Sequence, residues 1–191
     1  LTLLSIFIVY VIICLFASST SYVERNIHIK ASKKQISNEI SNFKKWEKWS
    51  PWFNIDSTIE TSFSGIEGKV NSTLAWKSLV SGSGSMEITE VSENKIKYNL
   101  AIINPWKSNS IGRFEFEEID TLTKVTWSNS NYELSFLEKG IMMLLMDKMM
   151  GPDFERGLTN LSNLTFEVIN EPILDSIINF KKDSTIDSDN I

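Results

Sequence analysis

The sequence predicts an α+β fold. A curved antiparallel β-sheet of about seven strands wraps around a long C-terminal α-helix, with two short helices after the first strand and a transmembrane helix at the N-terminus. Three observations carry this. Leu1 to Ala17 bears no charge, and only Thr2 and Ser5 interrupt its apolar run. Short stretches of alternating character, punctuated by Gly, Asn and Ser, fill Ser57 to Asn129. Beyond them, Met142, Met146 and Met149 recur at i, i+4 and i+7, and Phe154, Leu158, Leu161 and Thr165 continue the stripe. Period two marks a half-buried strand, and the i, i+4, i+7 spacing marks one face of a helix.

The N-terminal run, taken as a helix, is about 26 Å long to Ala17 and about 33 Å to Tyr22. That is enough to cross a hydrocarbon core of about 30 Å. An uncleaved single-pass anchor over 1–21 is therefore expected. The rival is a cleaved secretory signal, for which Ala17-Ser18-Ser19 offers small residues but no basic segment precedes the run. Arg25, Lys30, Lys33 and Lys34 follow directly. By the positive-inside tendency they lean the soluble part toward the cytoplasm. Cys14 follows Ile13 rather than a small residue, so it reads as an apolar member of the anchor and not as an acylation site.

Tyr22 to Ile29 alternates and reads as the first strand. Ser32 caps a helix reaching about Phe43, with Ile36 and Ile40 on one face. Trp46, Trp49 and Trp52 follow at three-residue spacing, broken by Ser50-Pro51, as a second short helix ending in a turn. Six strands come next: Thr58–Phe63, Lys69–Leu79, Gly84–Val91, Lys95–Ile103, Ser110–Glu118 and Leu122–Ser128. Their short connections imply antiparallel hairpins. Val70, Leu74 and Trp76 share a phase, as do Ile96, Tyr98, Leu100 and Ile102. Gly151-Pro152 should kink or restart the last helix, and Glu171-Pro172 should end it. The chain thus divides into an anchor over 1–21, one domain over 22–170 and a polar, disordered tail over 171–191. A bent sheet with an apolar inner face needs a cover, and only the C-terminal helix is long enough to supply one.

Composition narrows the chemistry. A formal charge of −5 argues against a nucleic-acid surface. A single Cys forms no internal disulfide, and one His beside it gives no zinc site from those ligands. Histidine-based acid–base chemistry is disfavoured for the same reason, so any catalysis falls to carboxylates, Tyr, Lys or Arg. No cofactor and no metal are expected.

Several strings resemble those of the SRPBCC superfamily, the helix-grip fold of START and birch-pollen-allergen-like proteins, in its polyketide cyclase/dehydrase-like branch. They are Val23-Glu24-Arg25, Trp46-Glu47-Lys48-Trp49-Ser50-Pro51-Trp52, Gly82-Ser83-Gly84-Ser85-Met86, Lys124-Val125-Thr126-Trp127, and Asp147 through Glu155. The resemblance covers about Tyr22 to Thr165. It implies a cavity between sheet and helix for apolar or amphipathic small molecules, without implying a fixed catalytic set.

Candidate ligand-binding residues follow from inward phase and from that cavity: Trp52, Trp76, Met86, Tyr98, Phe114, Trp127, Met142, Met146 and Met149. The methionines would form a soft, adaptable wall, though ordinary core packing accounts for them as well. The three clustered tryptophans read first as anchors of the short helices, with Trp52 closest to a cavity mouth. Arg25 is the odd residue on its strand phase, and an acidic neighbour or water suits it better than a ligand. His28 falls on the outer phase, and Asp153 reads as a helix cap. Gly82-Ser83-Gly84 is a hairpin turn and not a phosphate loop.

The expected function is a membrane-anchored binding module for a hydrophobic or lipid-like small molecule, with no nucleic-acid partner. Two alternatives stay open. One is a cyclase/dehydratase-type enzyme, with Tyr98 the first residue to test and an inward polar pair still to be found. The other is a protein-interaction domain without a ligand.

Overall fold

The computed structural model describes residues 2–53, 56–132 and 134–186, with side chains described as far as 164. Helix α1 (Thr2–Phe16) precedes strand β1 (Ser21–Ile29), and helix α2 (Lys33–Ser41) follows with a 3₁₀ helix over Phe43–Lys48. Strands β2 (Glu60–Ser64), β3 (Thr73–Lys77), β4 (Ser83–Val91), β5 (Lys95–Asn104), β6 (Ser108–Ile119) and β7 (Leu122–Asn131) come next. Helix α3 (Phe136–Ile186) closes the order. The strands form one sheet in the order β1-β7-β6-β5-β4-β3-β2, with every neighbour antiparallel.

This topology has a simple course. The chain leaves β1 at one edge, crosses the sheet through α2 and the 3₁₀ helix, and enters β2 at the opposite edge. It then meanders back strand by strand until β7 lies against β1. Local chemistry sets the crossing. Ser32 and Gln35 form a capping box at the start of α2, and Asn42 caps the 3₁₀ helix by accepting from Lys44 N at 3.1 Å. Ile36 and Ile40 are buried on one face of α2. The inward side of the sheet carries Val23, Ile88, Ile96, Phe116 and Val125, and α3 lays Phe154, Leu158 and Leu161 over it.

The expected transmembrane helix is overturned. Helix α1 ends at Phe16 and β1 starts at Ser21, so the helix does not extend toward Tyr22. Among the described residues, no helix is long and apolar enough to cross a membrane. Localisation at a membrane, the cytoplasmic lean and a membrane partner through this helix fall with it. Instead α1 rests on the start of α3, where the Tyr10 hydroxyl donates to the Leu137 carbonyl and Cys14 is buried.

Three smaller expectations also change. Strand β3 is five residues long rather than running from Lys69 to Leu79; Val70 and Leu79 are exposed, and Asn71 adopts a positive φ just before the strand. Helix α3 is continuous through Gly151-Pro152, where a break was expected. It is also continuous past Glu171-Pro172 to Ile186. The side chains of the expected tail, 171–191, and the whole of 187–191 lie outside the described residues.

Candidate ligand-binding site

The space between sheet and α3 is divided. One half is plugged by aromatic rings. Trp127 stacks on Phe114 at 4.8 Å with the planes 25° apart, and lies parallel to Phe154 at 4.1 Å. Trp46, from the 3₁₀ helix, and Trp49, just after it, meet Phe114 and Trp127 edge-on. The two indoles are fixed by donating to the Ile40 and Glu39 carbonyls at 2.7 and 3.4 Å. Such offset and T-shaped pairs satisfy the ring quadrupoles while filling volume.

The other half holds a cavity of about 320 Å³. Over β3 to β5 its strand wall is apolar: Leu74 and Trp76 from β3, Met86 from β4, Leu100 and Ile102 from β5. The helix wall is Met142, Met146, Met149 and Met150. Trp52 and Phe53 close one side, and Trp106 stands at the rim, largely exposed. The volume lies at the low end of the range for small-molecule sites, about 300–1,000 Å³.

Of the nine sequence-selected residues, Trp52, Trp76, Met86, Met142, Met146 and Met149 line this cavity. Tyr98, Phe114 and Trp127 do not; they belong to the aromatic plug. All three point inward, but phase does not distinguish the filled half from the open half. Trp127 Nε1 donates to the Tyr98 hydroxyl at 3.0 Å. Burial pushes the Tyr98 phenol well above its ordinary value, so it stays neutral at physiological pH.

Around the cavity, polar contacts hold α3 in place. Arg25 binds Asp147 at 2.7 Å and Glu155 at 2.6 Å, so its guanidinium serves as a clamp between β1 and α3. The hydrogen bond from Arg25 holds the Asp147 carboxyl below the usual carboxylate range. Trp52 Nε1 donates to Asp153 Oδ2 at 3.0 Å, and Asn160 Nδ2 donates to the Trp49 carbonyl at 3.0 Å. Asp153 therefore works as a side-chain acceptor within the helix and not as the cap expected of it. Beside Ser81 of the lining, Asp56 accepts from Thr58 N at 2.9 Å, Thr58 Oγ1 at 2.6 Å, Ser81 N at 3.1 Å and the Ser78 hydroxyl. These donors hold its carboxyl well below its ordinary value.

Sequence reasoning missed the polar part of the lining. Ser108 and Ser110 from β6 and Asn129 and Asn131 from β7 also face the cavity. The signal is present in the sequence, because Val125, Trp127, Asn129 and Asn131 are successive members of one phase. Asparagines at a strand end pass easily for punctuation.

The family described as polyketide cyclase / dehydrase and lipid transport matches residues 21–164. Among curated proteins, none matches the sequence significantly. Among solved structures, the di-domain ARO/CYC StfQ from the steffimycin biosynthetic pathway is similar, with a TM-score of 0.61 at 8% identity over 79% of this chain and 52% of that one. Ara h 8.0201 superposes with a TM-score of 0.54 at 9% identity, over 78% of this chain and 99% of its own. A protein from Thermus thermophilus gives a TM-score of 0.55 at 16% identity, over 77% of this chain and 98% of its own. At such identities these likenesses establish the fold alone.

Proposed function

Because the chain belongs to the polyketide cyclase/dehydrase and lipid transport family, we propose that it binds a hydrophobic or lipid-like small molecule between its sheet and its long helix. The binding unit is the domain over 22–170. One observation carries the reading: the interior is filled by aromatic rings at one end only, and the remainder is an apolar cavity of about 320 Å³. A fully packed interior would have removed it. Affinity comes from apolar area taken out of water, about 25 cal/mol per Å². The four helix methionines let the wall adapt to the guest.

Binding is favoured over catalysis by the kind of polar group at the wall. Among the described lining residues these are serine hydroxyls and asparagine carboxamides, which orient a ligand but exchange no protons near neutral pH. Tyr98, the residue first considered for proton transfer, has its hydroxyl engaged by Trp127 inside the aromatic plug.

The test is occlusion. A thermal-shift panel of neutral apolar compounds is run on the wild-type protein and on Leu100→Trp and Met142→Trp, each of which puts an indole into the cavity. At least one compound should raise the melting temperature of the wild type and leave the occluded variants unmoved. A folded wild type that no compound stabilises, or occluded variants that respond equally, would refute the reading.

A further inference from the structure

The cavity wall is chemically two-sided, and its polar side is unusually demanding. Along β7 the inward residues change from Val125 and Trp127 to Asn129 and Asn131; along β6 they change from Phe116 and Phe114 to Ser110 and Ser108. Both asparagines are nearly inaccessible, at 1% and 6% exposure. Each spends one arm of its carboxamide on a neighbouring serine: Asn129 Nδ2 donates to Ser110 Oγ at 3.1 Å and Asn131 Nδ2 to Ser108 Oγ at 3.5 Å. The other arm, Oδ1 in each case, is buried with no hydrogen-bond partner in the protein. A buried carboxamide oxygen left so costs about 1–3 kcal/mol, and native cores rarely keep two side by side.

From this strip we infer that the cavity selects a neutral ligand with an apolar body and two hydroxyl groups, read by Asn129 and Asn131. The inference deepens the binding reading above and rests on it. Three features define the class. The unpaired atoms are acceptors, so the ligand must bring donors. A hydroxyl suits best, because it can donate to Oδ1 and also accept from a serine hydroxyl beside it. Residues two apart on one strand lie about 7 Å apart, which sets the separation of the two groups.

Charge is the third feature. No charged side chain is among the described lining residues. The nearby carboxylates and Arg25 are already paired with one another or with Trp52. A carboxylate or phosphate brought into this wall would lose its hydration without finding a cation, which disfavours ionised ligands strongly. The site therefore differs from one built for a free fatty acid.

The experiment uses four probes that share one body: naphthalene, 2-naphthol, 2,6-dihydroxynaphthalene and 2-naphthoate. Their affinities for the full chain are measured by calorimetry at neutral pH. The wild type should bind the diol at least as tightly as the hydrocarbon, although the diol is better hydrated in water. It should bind the naphthoate at least about tenfold more weakly than 2-naphthol. In Asn129→Leu and Asn131→Leu, the ratio of diol to hydrocarbon affinity should fall at least about tenfold, while naphthalene binding persists. Because the readout is a ratio within one protein, a reduced folded fraction cancels; if a variant fails to fold, the wild-type ratio decides. A wild type that prefers naphthalene tenfold over the diol, or ratios untouched by both variants, overturns the strip and leaves the cavity reading standing. Equal binding of the naphthoate overturns the requirement for neutrality. A protein that binds none of the four overturns both readings together.

Discussion

Trp127 on β7 and Phe154 on α3 stack face to face, their ring centroids 4.1 Å apart and their planes within 5°. This pair joins the sheet to the helix at the border between the plugged and the open half. Both residues are fully buried, and Trp52, which lines the cavity, touches both rings edge-on. Phe154→Ala should therefore cost about 3–5 kcal/mol, the usual range for a buried aromatic cut to alanine. The loss would appear as a lower urea midpoint with an unchanged slope. A cost under about 1 kcal/mol would mean that the aromatic plug does not hold the helix.

Two glycines should respond differently to the same added methyl group. A Cβ at Gly112 would fall within the Tyr98 ring, which is buried and held between Trp46 and Phe114. At Gly151 the first obstacle is the Arg25 guanidinium, the far end of a flexible side chain. Gly112→Ala should abolish the folded state at ordinary temperature. Gly151→Ala should be the milder change: the Arg25 clamp must loosen its two surface ion pairs, a small loss that up to about 1 kcal/mol of gained helix propensity offsets. Thermal melts of the two variants decide the matter.

Tyr98→Phe isolates a single hydroxyl. Its removal leaves the buried Trp127 Nε1 without the acceptor it now has at 3.0 Å. The expected cost is about 1–3 kcal/mol of stability. Ligand affinity, measured by calorimetry, should change less than twofold, since Tyr98 lies outside the cavity lining. A large loss of affinity at unchanged stability would return Tyr98 to the site.

Acid should remove a contribution that Asp56 makes beside the cavity. Asp56 has its carboxyl lowered by four donors, so the folded state holds it ionised where the unfolded chain, at about 3.9, begins to protonate. Its contribution is complete above that value and is lost as pH falls below it. Between pH 4 and pH 2 the wild type should lose more stability than Asp56→Asn, which starts lower at pH 7 and carries no such dependence. Parallel pH profiles for the two proteins would show that Asp56 contributes nothing through its charge.

Periodic elements are legible in the sequence because periodicity is a local property. Ile36 with Ile40, the alternation of Val23 with Ile29, and the stripe through Met146, Phe154, Leu158 and Leu161 all mark faces that the fold buries. What stays hidden depends on partners far along the chain. Tyr98 joins the plug because antiparallel register sets it opposite Gly112, whose missing side chain leaves room for the ring. Nothing within β5 reveals that neighbour. The N-terminal error has a similar root: an apolar run does not reveal that its helix stops at Phe16, before β1 pairs with the distant β7. Asn129 and Asn131 are readable by phase, yet polar residues near a strand end resemble a turn.

The helix wall of the cavity is built from thioethers, and Met149 is 56% exposed at the opening. A mild oxidant such as hydrogen peroxide would reach this sulfur before the nearly inaccessible one of Met146. Conversion to the sulfoxide plants a strong dipole where the guest needs grease, while the sealed ring stack opposite has no sulfur to lose. Peroxide treatment should thus erode uptake long before it unfolds the domain, and reduction by a methionine sulfoxide reductase should restore it.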